Sequence, residues 1–183
     1  MITTGSQQGL DLIARAYVNP GDKVVMEAPS YLGAMQVFGL VQANILTVSQ
    51  TDFGPNLEEL EQCFAEQKPK MFYAVPDFHN PTGVCWALET RQKVAELCIQ
   101  YDVALIEDAP YRELRFSGEA LPMVSDFCPQ TLSCFVHSLR LLLRVFVSVL
   151  LREKSAIWSR LLKSNKEQTC TQVFQCKHSY MAC

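Results

Sequence analysis

Apolar residues between Gly5 and Asp108 fall into two alternating rhythms. Leu10, Ile13, Ala14 and Tyr17 recur at the three- and four-residue spacing of one helix face, and the same period runs through "YLGAMQVFGLVQA", "NLEELEQCFAEQ" and "LETRQKVAELCIQYD". Between them stand short runs of Val, Ile, Met and Phe: "KVVMEA", "ILTVS", "KMFYAVP" and "VALIED". Bounded by "NPGDK", "TDFGPN" and "NPTG", such runs read as buried strands. Strand and helix in turn predict an α/β fold, a mostly parallel sheet with helices on both faces.

The rhythm stops near Gln130. The remainder, "TLSCFVHSLRLLLRVFVSVLLREKSAIWSRLLKSNKEQTCTQVFQCKHSYMAC", holds no Gly, Pro or Asp and carries no turn signals. The chain therefore divides into residues 1–129, part of an α/β domain, and a tail, residues 130–183, without a domain's patterning. Phe135 to Leu151 is about the shortest span that crosses a bilayer. Arg140 and Arg144 would sit near its middle at about 2.5–3.5 kcal/mol each, which disfavours a membrane helix.

Composition narrows the class. At 183 residues, 49% hydrophobic and 19% charged, the chain suits one domain with a real core. A net charge of -3 supplies no long-range attraction to nucleic acid or anionic lipid, so neither is an expected partner. Eight cysteines are scattered without a C-x-x-C pair, which reads as reduced thiols in a cytoplasmic protein. The start "MITTGSQQGLDLIARAYV" has no basic stretch followed by an apolar run, so it does not read as a secretory signal.

Ligands in open parallel sheets bind beyond the carboxyl ends of the strands. "MFYAVP" runs into "DFHNPTG", which places Asn80 there, and "VALIED" ends in Glu107 and Asp108 ahead of "APYRELRF" with Tyr111. "TTGSQQG" precedes a helix and offers backbone N–H groups with Ser6 and Gln7, a workable phosphate cradle. Plainer readings stand beside these. Ser6 could simply cap the helix, "NPTG" could be an ordinary turn, Asp108 could pair with Arg112 or Arg115, and Tyr31 could be core. His79 could be a solvated loop residue or a ligand. With His137 and His178 distant in sequence, no metal set is expected.

Taken in order, "GSQQGLDL", "NPGDKVVMEAPSYLGA", "PDFHNPTG" and "VALIEDAPYRELRF" resemble the class I aminotransferases of the pyridoxal-phosphate-dependent fold-type I superfamily. The nearest branch contains the 2-aminoadipate and kynurenine aminotransferases, and the resemblance covers about residues 2–128. It implies a partial large (cofactor) domain binding pyridoxal 5'-phosphate. By resemblance Gly5, Ser6 and Gln7 form the phosphate turn, and Tyr31 stacks on the pyridine ring. Asn80 and Tyr111 donate to the ring's phenolic oxygen, and Asp108 pairs with the protonated pyridine nitrogen. That ion pair keeps the ring an electron sink.

The family also needs a Schiff-base lysine, some three dozen residues past the aspartate in a segment like S-x-S-K-x-x-x-P-G-x-R. No lysine occurs between Lys93 and Lys154, so no catalytic residue is assigned. "FVHSLRLLLRVFVSVL" stands where that segment belongs. A shifted reading frame accounts for it: with permitted codons, Thr131 to Val149 re-reads as "DVIVFCSFSKIIAPGFRIG". The tail is then an out-of-frame product rather than a membrane helix. On this reading the following arginine, the small C-terminal domain and an N-terminal part are missing too.

The expected function is a fragment of an enzyme that moves an amino group between an α-amino acid and a 2-oxo acid, itself inactive. The family works as homodimers. The alternatives are a non-catalytic cofactor-binding or interaction protein, and the effector domain of an aminotransferase-like transcriptional regulator. Without its later strands the sheet is expected to expose apolar edges and to give a poorly soluble product.

Overall fold

The computed structural model describes residues 6–128 and the backbone of residues 132–137 and 148–152. Its seven-stranded sheet has the order β3-β2-β1-β4-β5-β6-β7. Strands β1 (Lys23–Ala28), β2 (Asn44–Thr51), β4 (Met71–Ala74) and β5 (Ala104–Asp108) are parallel, as the alternating pattern predicts. Strand β3 (Gly54–Pro55) turns back antiparallel on β2. Strand β6 (Leu132–His137) joins β5 in parallel and β7 (Ser148–Arg152) returns antiparallel, so the sheet continues past residue 129. The segment 138–147, where the lysine loop is sought, lies outside the described residues, as do 1–5 and 153–183. Among the described residues no helix is long and apolar enough to cross a membrane.

The period-two alternation of the central strands builds two cores. Val24 and Met26 of β1, Met71 and Tyr73 of β4 and Ile106 of β5 face α1 (Ser6–Tyr17) and α2 (Leu32–Leu40), packing on Leu10, Ile13, Ala14, Val37 and Phe38. Val25, Phe72, Ala74 and Leu105 face α3 (Leu57–Gln67) and α4 (Leu88–Gln100), packing on Leu60, Phe64, Val94 and Leu97. Strands buried on both faces are why these runs are nearly continuously apolar. Phe72 also stacks on Trp86, with ring centroids 6.2 Å apart and planes at 15°.

Local chemistry fixes the boundaries. Asn56 caps α3 by accepting from the backbone N–H of Glu58 at 3.1 Å and of Glu59 at 3.3 Å, and both glutamates then sit in the positive first turn. Helix α2 stops at Leu40, three residues short of the periodic pattern. Gln42 takes φ 58°, and the Ala43 N–H closes onto the Phe38 carbonyl. At Gly54 φ is 127°, and a Cβ there would meet Thr90 Cγ2 at 2.8 Å and Trp86 Cγ at 3.0 Å, so only glycine fits. A 3-10 turn at Arg112–Leu114 and the four-residue α5 (Val124–Phe127) are too short to leave a periodic signal.

Candidate functional site

Strand β1 lies between β2 and β4, and the chain fills the sheet outward in opposite directions from that pair. The crevice beyond the carboxyl ends of β1 and β4 is therefore the switch point where a doubly wound sheet takes ligands. The loop after β4 carries Asp77, His79 and Asn80; β5 ends in Glu107 and Asp108, and Tyr111 follows three residues later.

Neighbouring in sequence, Glu107 and Asp108 point to opposite faces and do different things. Glu107 accepts the backbone N–H of Val124 at 2.8 Å and of Ser125 at 2.9 Å, holding the N-terminus of α5. Burial pushes its pKa up, and those hydrogen bonds pull back against the rise. Asp108 accepts the Tyr73 hydroxyl on Oδ2 at 2.8 Å, while its Oδ1 is buried with no hydrogen-bond partner among the described residues. Burial holds its pKa up at about 6, against the Tyr73 bond that lowers it. An acceptor left unpaired in a protein interior is costly, and a cationic N–H donor is what would satisfy it. The plainer reading, Asp108 paired with Arg112 or Arg115, does not hold: both arginines bond Asp77 instead.

Gln7 and Tyr31, far apart in sequence, come together at the ends of α1 and α2. The Tyr31 hydroxyl donates to Gln7 Oε1 at 3.3 Å, and Gln7 Nε2 donates to the Gly33 carbonyl at 3.1 Å. A Cβ at Gly33 would stand 2.6 Å from Tyr31 Cζ and 2.7 Å from Gln7 Oε1, so the glycine admits both side chains. Tyr31 is half-buried at this edge rather than simple core. Ser6 is the first residue of α1, Gly5 lies outside the described residues, and Asn80 and Tyr111 are each half-buried in their loops.

Sequence reasoning missed two buried polar groups. Glu27 is 1% exposed; Gln50 Nε2 and Trp86 Nε1 donate to its Oε1 at 2.8 and 3.1 Å, and its Oε2 lies 3.7 Å from His79 Nε2. Burial raises its pKa to about 7. His79 is therefore not a solvated loop residue: it is buried between Glu27 and Thr82, whose Oγ1 is 3.0 Å from Nδ1, and burial lowers its basicity. Among the described residues no group of three His, Cys, Asp or Glu side chains could hold a metal ion. The second missed group is Asp77, fully buried and bonded by Arg91, Arg112 and Arg115 at 2.9, 3.3 and 3.3 Å. An acidic residue inside "KVVMEA" and an arginine on the apolar face of "LETRQKVAELC" were the available signals.

Known proteins share this fold. The family "Aminotransferase class I and II" matches residues 1–138. Over 124 residues the chain is 44% identical to aromatic-amino-acid aminotransferase 1 of Thermococcus litoralis, covering 65% of this chain and 30% of that protein. Over 122 residues it is 40% identical to the 2-aminoadipate transaminase of Thermus thermophilus, covering 67% and 31%. The solved structure of the α-aminoadipate aminotransferase LysN from Thermus thermophilus, complexed with N-(5'-phosphopyridoxyl)-L-leucine, matches with a TM-score of 0.80 at 31% identity, covering 91% of this chain and 44% of that one. The chain thus spans about a third of the length of the curated relatives it matches.

Proposed function

The chain belongs to the class I and II aminotransferases of the fold-type I superfamily, and on that premise we propose that residues 6–128 bind pyridoxal phosphate non-covalently. They would form the cofactor half of a site that moves an amino group between an α-amino acid and a 2-oxo acid. The observation that carries this reading is Oδ1 of Asp108, a buried carboxylate oxygen at a strand end with no donor among the described residues. A protonated pyridine nitrogen is the missing donor. Once paired, the carboxylate would have a positive charge beside it to offset the burial penalty that holds its pKa up at about 6.

The remaining residues fit the same group. Tyr73 steadies the Asp108 carboxylate through Oδ2, so the open oxygen keeps its aim. Ser6, Gln7 and the N-terminus of α1 suit a phosphate dianion, because the helix dipole is positive there. Tyr31 supplies the aromatic face, and Asn80 and Tyr111 the donors to the phenolic oxygen. When bound, the cofactor supplies an electron sink for charge developing at the substrate α-carbon.

The absence of lysine between Lys93 and Lys154 removes the family's covalent anchor and proton carrier, so this chain is proposed to bind the cofactor without turnover. The lysine loop is proposed to have been read out of frame across codons 131–149. Independent sequencing of that DNA tests this: one gained or lost base restoring "SFSK" supports it, and an intact frame as written refutes it. The cysteines Cys63, Cys85 and Cys98, which form no disulfide among the described residues, suit a cytoplasmic setting, and pairing with a second copy is the family's mode of assembly.

Pyridoxamine phosphate tests the binding claim, since it lacks the aldehyde that reacts with surface lysines. One saturable site per chain is expected; a linear, unsaturable uptake would overturn the reading.

A further inference from the structure

The Asp77 cluster lies outside the residues assigned to the cofactor, yet it joins the two loops that carry Asn80 and Tyr111. Asp77 is three residues before Asn80, and Arg112 directly follows Tyr111. Arg91, from α4, grips Asp77 with both Nη atoms, at 2.9 and 3.3 Å. The same guanidinium donates to the carbonyls of Pro76, Trp86 and Pro122 at 3.0, 3.2 and 3.2 Å. Arg112 bonds Asp77 at 3.3 Å and the Leu121 carbonyl at 2.5 Å. Arg115 bonds Asp77 at 3.3 Å and lies 4.9 Å over the Phe78 ring. One carboxylate thus fastens the β4 loop, α4 and both ends of the irregular stretch 109–123.

Stability alone does not account for this arrangement. Buried ion pairs are often neutral or worse in stability than an apolar replacement of the same shape, because desolvation offsets the attraction. What they fix well is geometry, above all where guanidinium groups bind in a bidentate fork. The loop also needs fixing. Phe78, between Asp77 and His79, sits at φ 52°, an uncommon conformation for an aromatic residue that persists only when its surroundings over-determine it.

We infer that Asp77 is a positioning residue: through Arg91, Arg112 and Arg115 it sets the β4 loop against the segment after β5, so that Asn80 and Tyr111 converge on the cofactor's phenolic oxygen. This rests on the pyridoxal phosphate reading above. The inference predicts a selective effect: loosening the cluster weakens the contacts to that one oxygen and leaves the pyridine nitrogen and phosphate contacts in place.

The experiment compares the affinity of the chain for pyridoxamine phosphate and for the analogue with hydrogen in place of the 3-hydroxyl. The wild-type chain should prefer the hydroxylated ligand by roughly tenfold, the value of a good hydrogen-bond pair. Asp77→Asn and the half-buried Arg112→Gln should each reduce that preference at least threefold while affinity for the deoxy analogue stays the same. Equal weakening of both ligands, or an unchanged ratio, would overturn the inference and leave the cluster a structural clamp. If Asp77→Asn does not fold, Arg112→Gln carries the test. If the wild-type chain binds neither ligand, the cofactor reading itself fails and the inference falls with it.

Discussion

The two ends of strand β4 carry the same kinds of charge in opposite settings. At the amino end, Lys70 meets Asp22 at 2.6 Å with the lysine exposed and the aspartate partly so. At the carboxyl end, Asp77 meets Arg91 at 2.9 Å with neither side chain exposed at all. Water screens the first pair and its long side chains lose entropy on pairing, so it contributes at most about 1 kcal/mol. The second pair sits in a medium where an unpartnered charge is costly, so every atom of it must be placed. Charge at the amino end decorates a turn, whereas charge at the carboxyl end, at Asp77, is enclosed by three arginines.

Substitutions at the two ends should therefore differ sharply. Asp77→Ala leaves three arginines around an empty position and is expected to cost about 3–5 kcal/mol, read as a lowered denaturation midpoint. A cost below about 1 kcal/mol would erase the contrast.

Glu27 gives the next largest effect, and a pH-dependent one. Its folded-state pKa is raised from 4.5 to about 7, so folding favours the protonated form. Its contribution to stability is full below about 4.5 and is lost as pH rises through about 7. His79, whose basicity is lowered, works in the opposite sense, losing stability as pH falls through its ordinary range. Glu27→Gln should therefore flatten the decline between about pH 4.5 and 7 by on the order of 2–3 kcal/mol, measured by chemical denaturation across that range. An unchanged slope would place the titration elsewhere. The smallest effect belongs to the amino end: Lys70→Ala should cost no more than about 1 kcal/mol, less still in high salt.

How much of this was legible in the sequence follows the same division. Strands β1, β4 and β5 and helices α1, α3 and α4 were legible because apolar periodicity is written over many residues. Helix α2 was drawn too long because Val41 and Ala43 continue its apolar run, and only the backbone at Gln42 shows the stop. Asp108, Tyr31 and Gln7 stood out as candidates because they fall within ordered motifs at strand and helix ends. Asp77 and Glu27 were not, because a buried charge is defined by partners remote in sequence: Arg91 is 14 positions from Asp77, and Trp86 is 59 from Glu27. The pairing of Arg112 and Arg115 was misjudged for the same reason, since proximity in the chain favoured Asp108 and the fold favoured Asp77.

The central claim is that Asp108 holds an open, buried oxygen for a protonated ring nitrogen. Equilibrium titration of pyridoxamine phosphate into the wild-type chain and into Asp108→Asn addresses it most directly. The account predicts one saturable site in the wild type and an affinity at least about thirtyfold lower in the variant, about 2 kcal/mol, with the apo variant no less stable than the wild type. Equal affinity in the two proteins would contradict it.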